Sequence, residues 1–225
     1  TDLYGVMWKP MDFDSTKRYP VIAYVYPGPW TEYIPLDFEF SSPSGAPQLA
    51  QLGFVVVCFG NRGGSPYRGR DYHCYGYGNL RDYPLADNKY GLEQLIARYS
   101  FIDGTKVGIF GHSGGGSMAV AAICTYPDFY KAAVASSGNY DNTIFDYGWS
   151  EIHHGIKEVT KEGKVSFEFS IPVHLELAKN LKGHLMLVTG DADDTVNPAN
   201  TSRMVHSLIL AGKDFELVVL PGQRH

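Results

Sequence analysis

Apolar runs alternate with amphipathic stretches along this chain, and their order predicts repeated strand–helix–strand units. Pro20–Tyr26, Gly53–Phe59, Lys106–Phe110, His184–Thr189 and Phe215–Leu220 are short, almost continuously apolar segments. That composition suits strands covered on both faces rather than strands with one wet side. Tyr4–Lys9 reads as an opening strand and Lys131–Ser136 as a shorter internal one. Helical spacing appears between them. Asp87–Tyr99 places Leu92, Leu95, Ile96 and Tyr99 on one face, and Ala119, Ala122, Ile123 and Tyr126 recur at i, i+3, i+4 and i+7. Residues 170–180 read as a short helix. A later helix opens with Asn197 as N-cap and Pro198 at its first position, and runs to about Leu210 with Thr201, Met204, Val205, Leu208 and Ile209 buried. The alternation predicts an α/β domain over residues 1–225, with a mostly parallel sheet and helices on both faces.

Three segments break the pattern. Residues 27–47 form a long loop whose aromatics, Trp30, Tyr33, Phe38 and Phe40, favour order. Residues 61–83 read as a second loop, rich in Gly and Tyr. Residues 139–169 mix aromatic, His and charged residues without a strong period, and read as a cap inserted above the sheet.

The most specific chemistry lies at Gly111-His112-Ser113-Gly114-Gly115, between a β-rich run and a helical stripe. Gly-x-Ser-x-Gly in strand–turn–helix context is the nucleophile elbow of α/β-hydrolases. Small residues flank the serine because the turn is tight, and the following helix points N–H groups at the place where negative charge develops. Two further loops follow predicted strands: Gly190-Asp191-Ala192-Asp193-Asp194 after Thr189, and the segment after Leu220 that ends in His225. Ser, Asp, His is the chain order of the α/β-hydrolase triad. In that reading Ser113 attacks, His225 moves the proton and an aspartate orients the imidazole, with Gly114 N–H as the first oxyanion donor. The residues themselves leave Asp191, Asp193 and Asp194 open, since each suits a turn or a helix cap. The other seven histidines, His112 included, read as surface or packing residues.

Composition narrows the field. At 225 residues and 44% hydrophobic, the chain can bury a substantial core. A net charge of −5 gives no reason to expect nucleic acid. No run of about 18 apolar residues is present to span a membrane. Of the three cysteines, Cys58 and Cys124 read as core residues and Cys74 is undetermined. Asp82, Asp87 and His153-His154 lack a ligand set at metal spacing, so no metal or other cofactor is expected.

The chain resembles the C-terminal catalytic domain of the prolyl oligopeptidase family of serine peptidases, in its dipeptidyl peptidase IV branch. The resemblance rests on Tyr24-Val25-Tyr26-Pro27-Gly28-Pro29, Asn61-Arg62-Gly63-Gly64, the elbow, Gly190-Asp191-Ala192-Asp193-Asp194-Thr195-Val196 and His225. It implies an α/β-hydrolase fold and a peptide substrate, with cleavage after proline or alanine. It implies Asp193 as the triad acid and the Tyr26 hydroxyl as second oxyanion donor. It also implies an aromatic pocket for the residue before the scissile bond, formed by Phe145 and Trp149 with Tyr147 and Val196 as further walls. The family often has an asparagine where Thr195 stands, and Asn139 or Asn142 are the replacements for its contact to substrate backbone. The resemblance further implies an N-terminal β-propeller, a helix beyond the triad histidine, a homodimer and a periplasmic or extracellular location. The chain is accordingly read as a fragment of a longer protein. A carboxylesterase with the same triad and a non-catalytic interaction domain are the alternatives.

Overall fold

The computed structural model describes residues 1–35 and 45–225, and of Tyr147 the backbone alone. Phe38 and Phe40, expected to order the first loop, lie outside the described residues. Seven strands form one sheet in the order β1-β3-β2-β4-β5-β8-β9. These are β1 (Gly5–Trp8), β2 (Tyr19–Tyr24), β3 (Val55–Phe59), β4 (Ile102–His112), β5 (Tyr130–Ser136), β8 (His184–Gly190) and β9 (Glu216–Leu220). Only β1 runs antiparallel, against β3; the remaining pairs are parallel. The order reverses beside β2 and β4, so β4 leaves its C-terminal end at the middle of the sheet, where ligands bind in open α/β folds.

The connections follow the predicted alternation. Helix α3 (Leu85–Arg98) joins β3 to β4, α4 (Gly114–Thr125) joins β4 to β5, and α6 (Ala199–Leu210) joins β8 to β9. Helix α4 is the centre of the core. Every residue from Gly115 to Cys124 is buried, so the expected apolar stripe is only part of a helix enclosed on all sides. Val21, Ala23, Val55, Val57, Ile109 and Leu187 of the sheet belong to the same buried cluster. Cys58 and Cys124 are buried and Cys74 is exposed; burial pushes both buried thiols up to about 12.

Several boundaries and faces differ from the sequence reading. Helix α3 starts at Leu85, two residues early, and ends before Tyr99. Asp87 thereby enters its first turn, where its carboxylate pairs with Arg62. Strand β4 extends well beyond Lys106–Phe110 in both directions, and β2 stops at Tyr24. Asn197 stands one position before the assigned cap of α6, yet its Oδ1 accepts the Ala199 N–H at 2.9 Å, so it still satisfies a helix-end donor. Ile209 is 61% exposed rather than buried. Eight residues after Thr201 it lies about 80° around the helix, at the margin of the stripe formed by Thr201, Met204 and Leu208. The 170–180 helix is a 3-10 segment, Leu175–Asn180.

Elements without a sequence signal fill the irregular regions. A short helix α1 (Ala46–Gln51) precedes β3, and α2 (Arg70–His73) with flanking 3-10 turns occupies the second loop. The 139–169 segment holds α5 (Tyr147–His154) and a hairpin of β6 (Lys157–Lys161) and β7 (Lys164–Glu168). The hairpin is exposed almost throughout. With no buried face, it has no apolar alternation to read. Among the described residues, no helix is long and apolar enough to cross a membrane.

Candidate active site

Ser113 sits between β4 and α4 with φ 59° and ψ −124°, a backbone region that non-glycine residues rarely occupy. Two neighbours explain how the turn closes. A methyl group on Gly111 would stand 2.5 Å from the backbone of Gly115, and one on Gly115 would run into the carbonyl oxygen of Val25. The Ser113 N–H is held by Ser136 O at 2.8 Å, and its carbonyl accepts from Ser117 N at 3.0 Å. The strain is therefore fixed by β5 on one side and the first helical turn on the other.

The three aspartates of the β8 loop have three different partners, which separates them. Asp191 Oδ1 accepts the Gly222 N–H at 2.6 Å and Asp194 forms an ion pair with Arg224. These two, with the Ala192 N–H on Gln223 O at 3.1 Å, stitch the final loop to the β8 loop. Asp193 points inward, and its Oδ2 lies 2.8 Å from His225 Nδ1. On the other side of that ring, Nε2 lies 2.9 Å from Ser113 Oγ. The structure thus brings Ser113, His225 and Asp193 into one hydrogen-bonded chain from three separate loops.

The electrostatics suit that chain. The Asp193 side chain is fully buried while the His225 ring is 20% exposed. Burial alone would raise the Asp193 pKa. Hydrogen bonds from His225, from the Val196 and Thr195 N–H groups and from Ser137 outweigh it and hold the carboxyl below its usual range. The carboxylate is thus charged at neutral pH and faces Nδ1, which places the proton there and leaves Nε2 as acceptor for the serine hydroxyl. His112, read as a surface or packing residue, lies beside the site: its ring is 4.5 Å from that of His225 and its Nδ1 is 3.1 Å from Ser136 Oγ. Burial and then the nearby His225 lower its pKa.

A cavity of about 710 Å³ opens over Ser113. Tyr26, Gly114, Phe145, Trp149 and Val196 all line it. The side chain of Tyr147 lies outside the described residues. The Tyr26 ring lies next to Gly114, with its Cζ 3.7 Å from where a Gly114 methyl would stand. Burial first, then Tyr33, raises the Tyr26 pKa against the hydrogen bonding to Ser113 and Trp30, so the phenol remains a neutral donor. The Asn61–Gly64 motif explains how Tyr26 is held. Pro27 O receives Asn61 Nδ2 at 3.1 Å and the Tyr83 hydroxyl at 2.7 Å. Gly28, at φ +104°, packs so closely on Gly64 that a methyl would stand 2.9 Å from its Cα. Sequence reasoning missed Trp30 as a wall of the cavity, where it meets Trp149 edge-on at 5.9 Å. It also missed Arg81, which lines the cavity while paired with Asp82 and Glu176.

Over residues 40–225 the sequence matches the profile described as Peptidase_S9, prolyl oligopeptidase family. The chain belongs to the prolyl oligopeptidase family. Within it, the chain is 31% identical over 223 residues to dipeptidyl peptidase 8 of Homo sapiens, covering 99% of this chain and 24% of that protein. It is 25% identical over 219 residues to the probable dipeptidyl-aminopeptidase B of Arthroderma gypseum, covering 96% and 23%. Porphyromonas gingivalis dipeptidyl peptidase 4 superposes with a TM-score of 0.85 at 26% identity, over 99% of this chain and 30% of that one. A dipeptidyl aminopeptidase IV candidate from Bacteroides ovatus gives 0.88 at 28% identity, over 100% and 31%. The chain therefore spans about a quarter of the curated relatives it matches, and its fold is that of the family's α/β-hydrolase unit.

Behind the site, His174 anchors the start of α4. Its Nδ1 is 3.1 Å from the Tyr140 carbonyl, which can only accept, so Nδ1 carries the proton and Nε2 accepts from Ser117 Oγ at 3.0 Å. Burial, then Arg81, pushes its pKa down to about 4. An unfolded imidazole protonates near 6.5, so this contribution to stability is full above about 6.5 and is lost as the pH falls toward 4. His174→Gln is expected to flatten the stability curve over that range. Urea denaturation at pH 7 and at pH 4.5 checks it; an unchanged difference between the two would refute the assignment.

Proposed function

We propose that the full-length protein is a serine peptidase of dipeptidyl peptidase type, with Ser113, His225 and Asp193 as its triad. The observation that carries this reading is the Ser113–His225–Asp193 chain at 2.9 and 2.8 Å on a strained elbow. In the reading, Ser113 Oγ attacks the substrate carbonyl as its proton passes to His225 Nε2. The imidazolium is stabilised by Asp193, and the tetrahedral oxyanion is received by the Gly114 N–H and the Tyr26 hydroxyl. Collapse breaks the C–N bond, and His225 returns the proton to the departing amine. Water, deprotonated by the same histidine, then hydrolyses the acyl-enzyme.

Proline or alanine is the residue we assign before the scissile bond, seated against Phe145, Trp149 and Val196. The T-shaped packing of Phe145 on Trp149 at 5.3 Å supports a flat apolar slot of that size. The relatives' length supports a further N-terminal domain in the full-length protein, which would decide how far a substrate extends past the slot. Pairing of two copies is a second expectation, read out by sedimentation of the full-length protein.

Gly-Pro-p-nitroanilide against p-nitrophenyl butyrate tests the reading. Release of p-nitroaniline in preference to butyrate hydrolysis supports the peptidase; ester hydrolysis alone replaces it with a carboxylesterase. Tyr26→Phe removes one oxyanion donor and is expected to lower kcat on Gly-Pro-p-nitroanilide by about 10²–10³-fold with little change in KM. A loss confined to KM would contradict the role given to Tyr26.

A further inference from the structure

The β6–β7 hairpin has few contacts of its own to hold it together. Its turn residues Glu162 and Gly163 both have positive φ, 52° and 73°, as the tightest hairpin connection requires. That turn sets Lys161 opposite Lys164, Val159 opposite Ser166 and Lys157 opposite Glu168. Every residue of β7 is exposed, and its apolar residues Val165 and Phe167 are 57% and 65% exposed. Two strands with no packed face are marginally stable at best in water, so a covering partner would stabilise this hairpin.

The register shows which backbone groups are open. In a hairpin with a two-residue turn, the residues flanking the turn exchange hydrogen bonds, and bonded pairs alternate with non-bonded ones. Lys164, Ser166 and Glu168 therefore turn their backbone groups toward β6, while Val165 and Phe167 turn theirs outward. Among the described residues no strand pairs with that outer edge, and a bare edge is a template for another strand.

The five residues of β7, Lys164-Val165-Ser166-Phe167-Glu168, complement themselves when reversed. Two copies laid antiparallel about Ser166 set Lys164 opposite Glu168 and Val165 opposite Phe167, each twice. The apolar pair falls where the outward N–H and C=O groups meet. The charged pair falls at a non-bonded position, where side chains approach most closely. Lys164 gains most, because inside its own hairpin it faces Lys161 and among the described residues no carboxylate pairs with it. The other edge lacks this complementarity. Reversed about Val159, β6 would set Lys157 against Lys161, a like-charge pair that opposes the contact.

We propose that β7 is a self-association edge, at which two copies of the protein join their hairpins into one four-stranded antiparallel sheet about a two-fold axis at Ser166; this rests on the pairing of two copies expected above and gives it a surface. Sedimentation of the full-length protein over the micromolar range tests it. The wild type is expected to form a dimer. Lys164→Glu is expected to raise the dimer dissociation constant by about 10-fold or more, because each change counts twice about the axis. The same change sets opposite charges against Lys161 within the hairpin, so it does not weaken the hairpin itself. Adding Glu168→Lys restores the complementary pattern and should return the constant to within about threefold of wild type. A second measurement reads the register directly. Ser166→Cys, in a Cys74→Ser background that removes the exposed thiol, sets two thiols across the axis with Cα atoms about 4.5 Å apart, within disulfide range. The thiol oxidant diamide is expected to convert that variant to a covalent dimer, and to leave the same background carrying Lys161→Cys without one. A dimer that Lys164→Glu leaves unchanged, a double variant as weak as the single one, or a Ser166→Cys variant that does not cross-link overturns the edge while keeping the pairing. A wild type that stays monomeric throughout overturns both, and leaves β7 to be covered by the rest of the full-length chain.

Discussion

Ser113→Ala in the full-length protein is expected to lower kcat on Gly-Pro-p-nitroanilide by about 10⁶-fold, the scale on which triad nucleophiles act. The reason is local. No other described hydroxyl lies within hydrogen-bonding distance of His225 Nε2, and the serine is presented at a φ of 59° that its neighbours hold in place. Alanine tolerates that backbone no worse than serine, because the strain arises at Cβ and both residues have one. Stability should therefore change little while turnover collapses. Steady-state kinetics and a thermal melt on the same preparation check both halves. A variant retaining more than about a thousandth of the activity would mean that a different group attacks.

Asp193→Asn is expected to cost about 10⁴-fold in kcat. An amide at that position presents N–H as readily as oxygen. The Val196 and Thr195 N–H groups, at 2.8 and 3.0 Å from Oδ1, claim its oxygen. The amide nitrogen then faces His225 Nδ1 and selects the tautomer with its proton on Nε2, which cannot accept from Ser113. Asp191→Asn and Asp194→Asn remove charge from the same loop, but their partners are the Gly222 N–H and Arg224. Their effect should be at least a hundredfold smaller than that of Asp193→Asn. Comparable losses from all three variants would show that the loop's charge, rather than the one contact to His225, is what matters.

The parts of this site that could be read from the sequence are those whose residue types are dictated by backbone geometry. A parallel strand enclosed on both faces must be apolar throughout, and Val55–Phe59 shows it. A tight strand-to-helix turn needs small residues on both sides of the serine, and Gly111 and Gly115 show it. The three triad loops follow from strand ends and chain order. The choice among Asp191, Asp193 and Asp194 did not, since all three accept hydrogen bonds in one short turn and only the direction of each side chain separates them. The resemblance to a family named Asp193, and in the structure Asp193 is the one of the three whose carboxylate faces His225 Nδ1. The cap was opaque for a different reason. Helix α5 is two turns long, and the β6–β7 hairpin has no buried face, so neither leaves a periodic signal.

Nucleophilic attack by Ser113 leaves a covalent adduct that can be trapped. Incubating the full-length protein with a Val-Pro diphenyl phosphonate and mapping the adduct by peptide mass spectrometry tests it. The account predicts a single phosphonyl group on the peptide containing Ser113, formed much more slowly in Asp193→Asn and absent from Ser113→Ala. No adduct in a folded protein, or an adduct on any other residue, would contradict it.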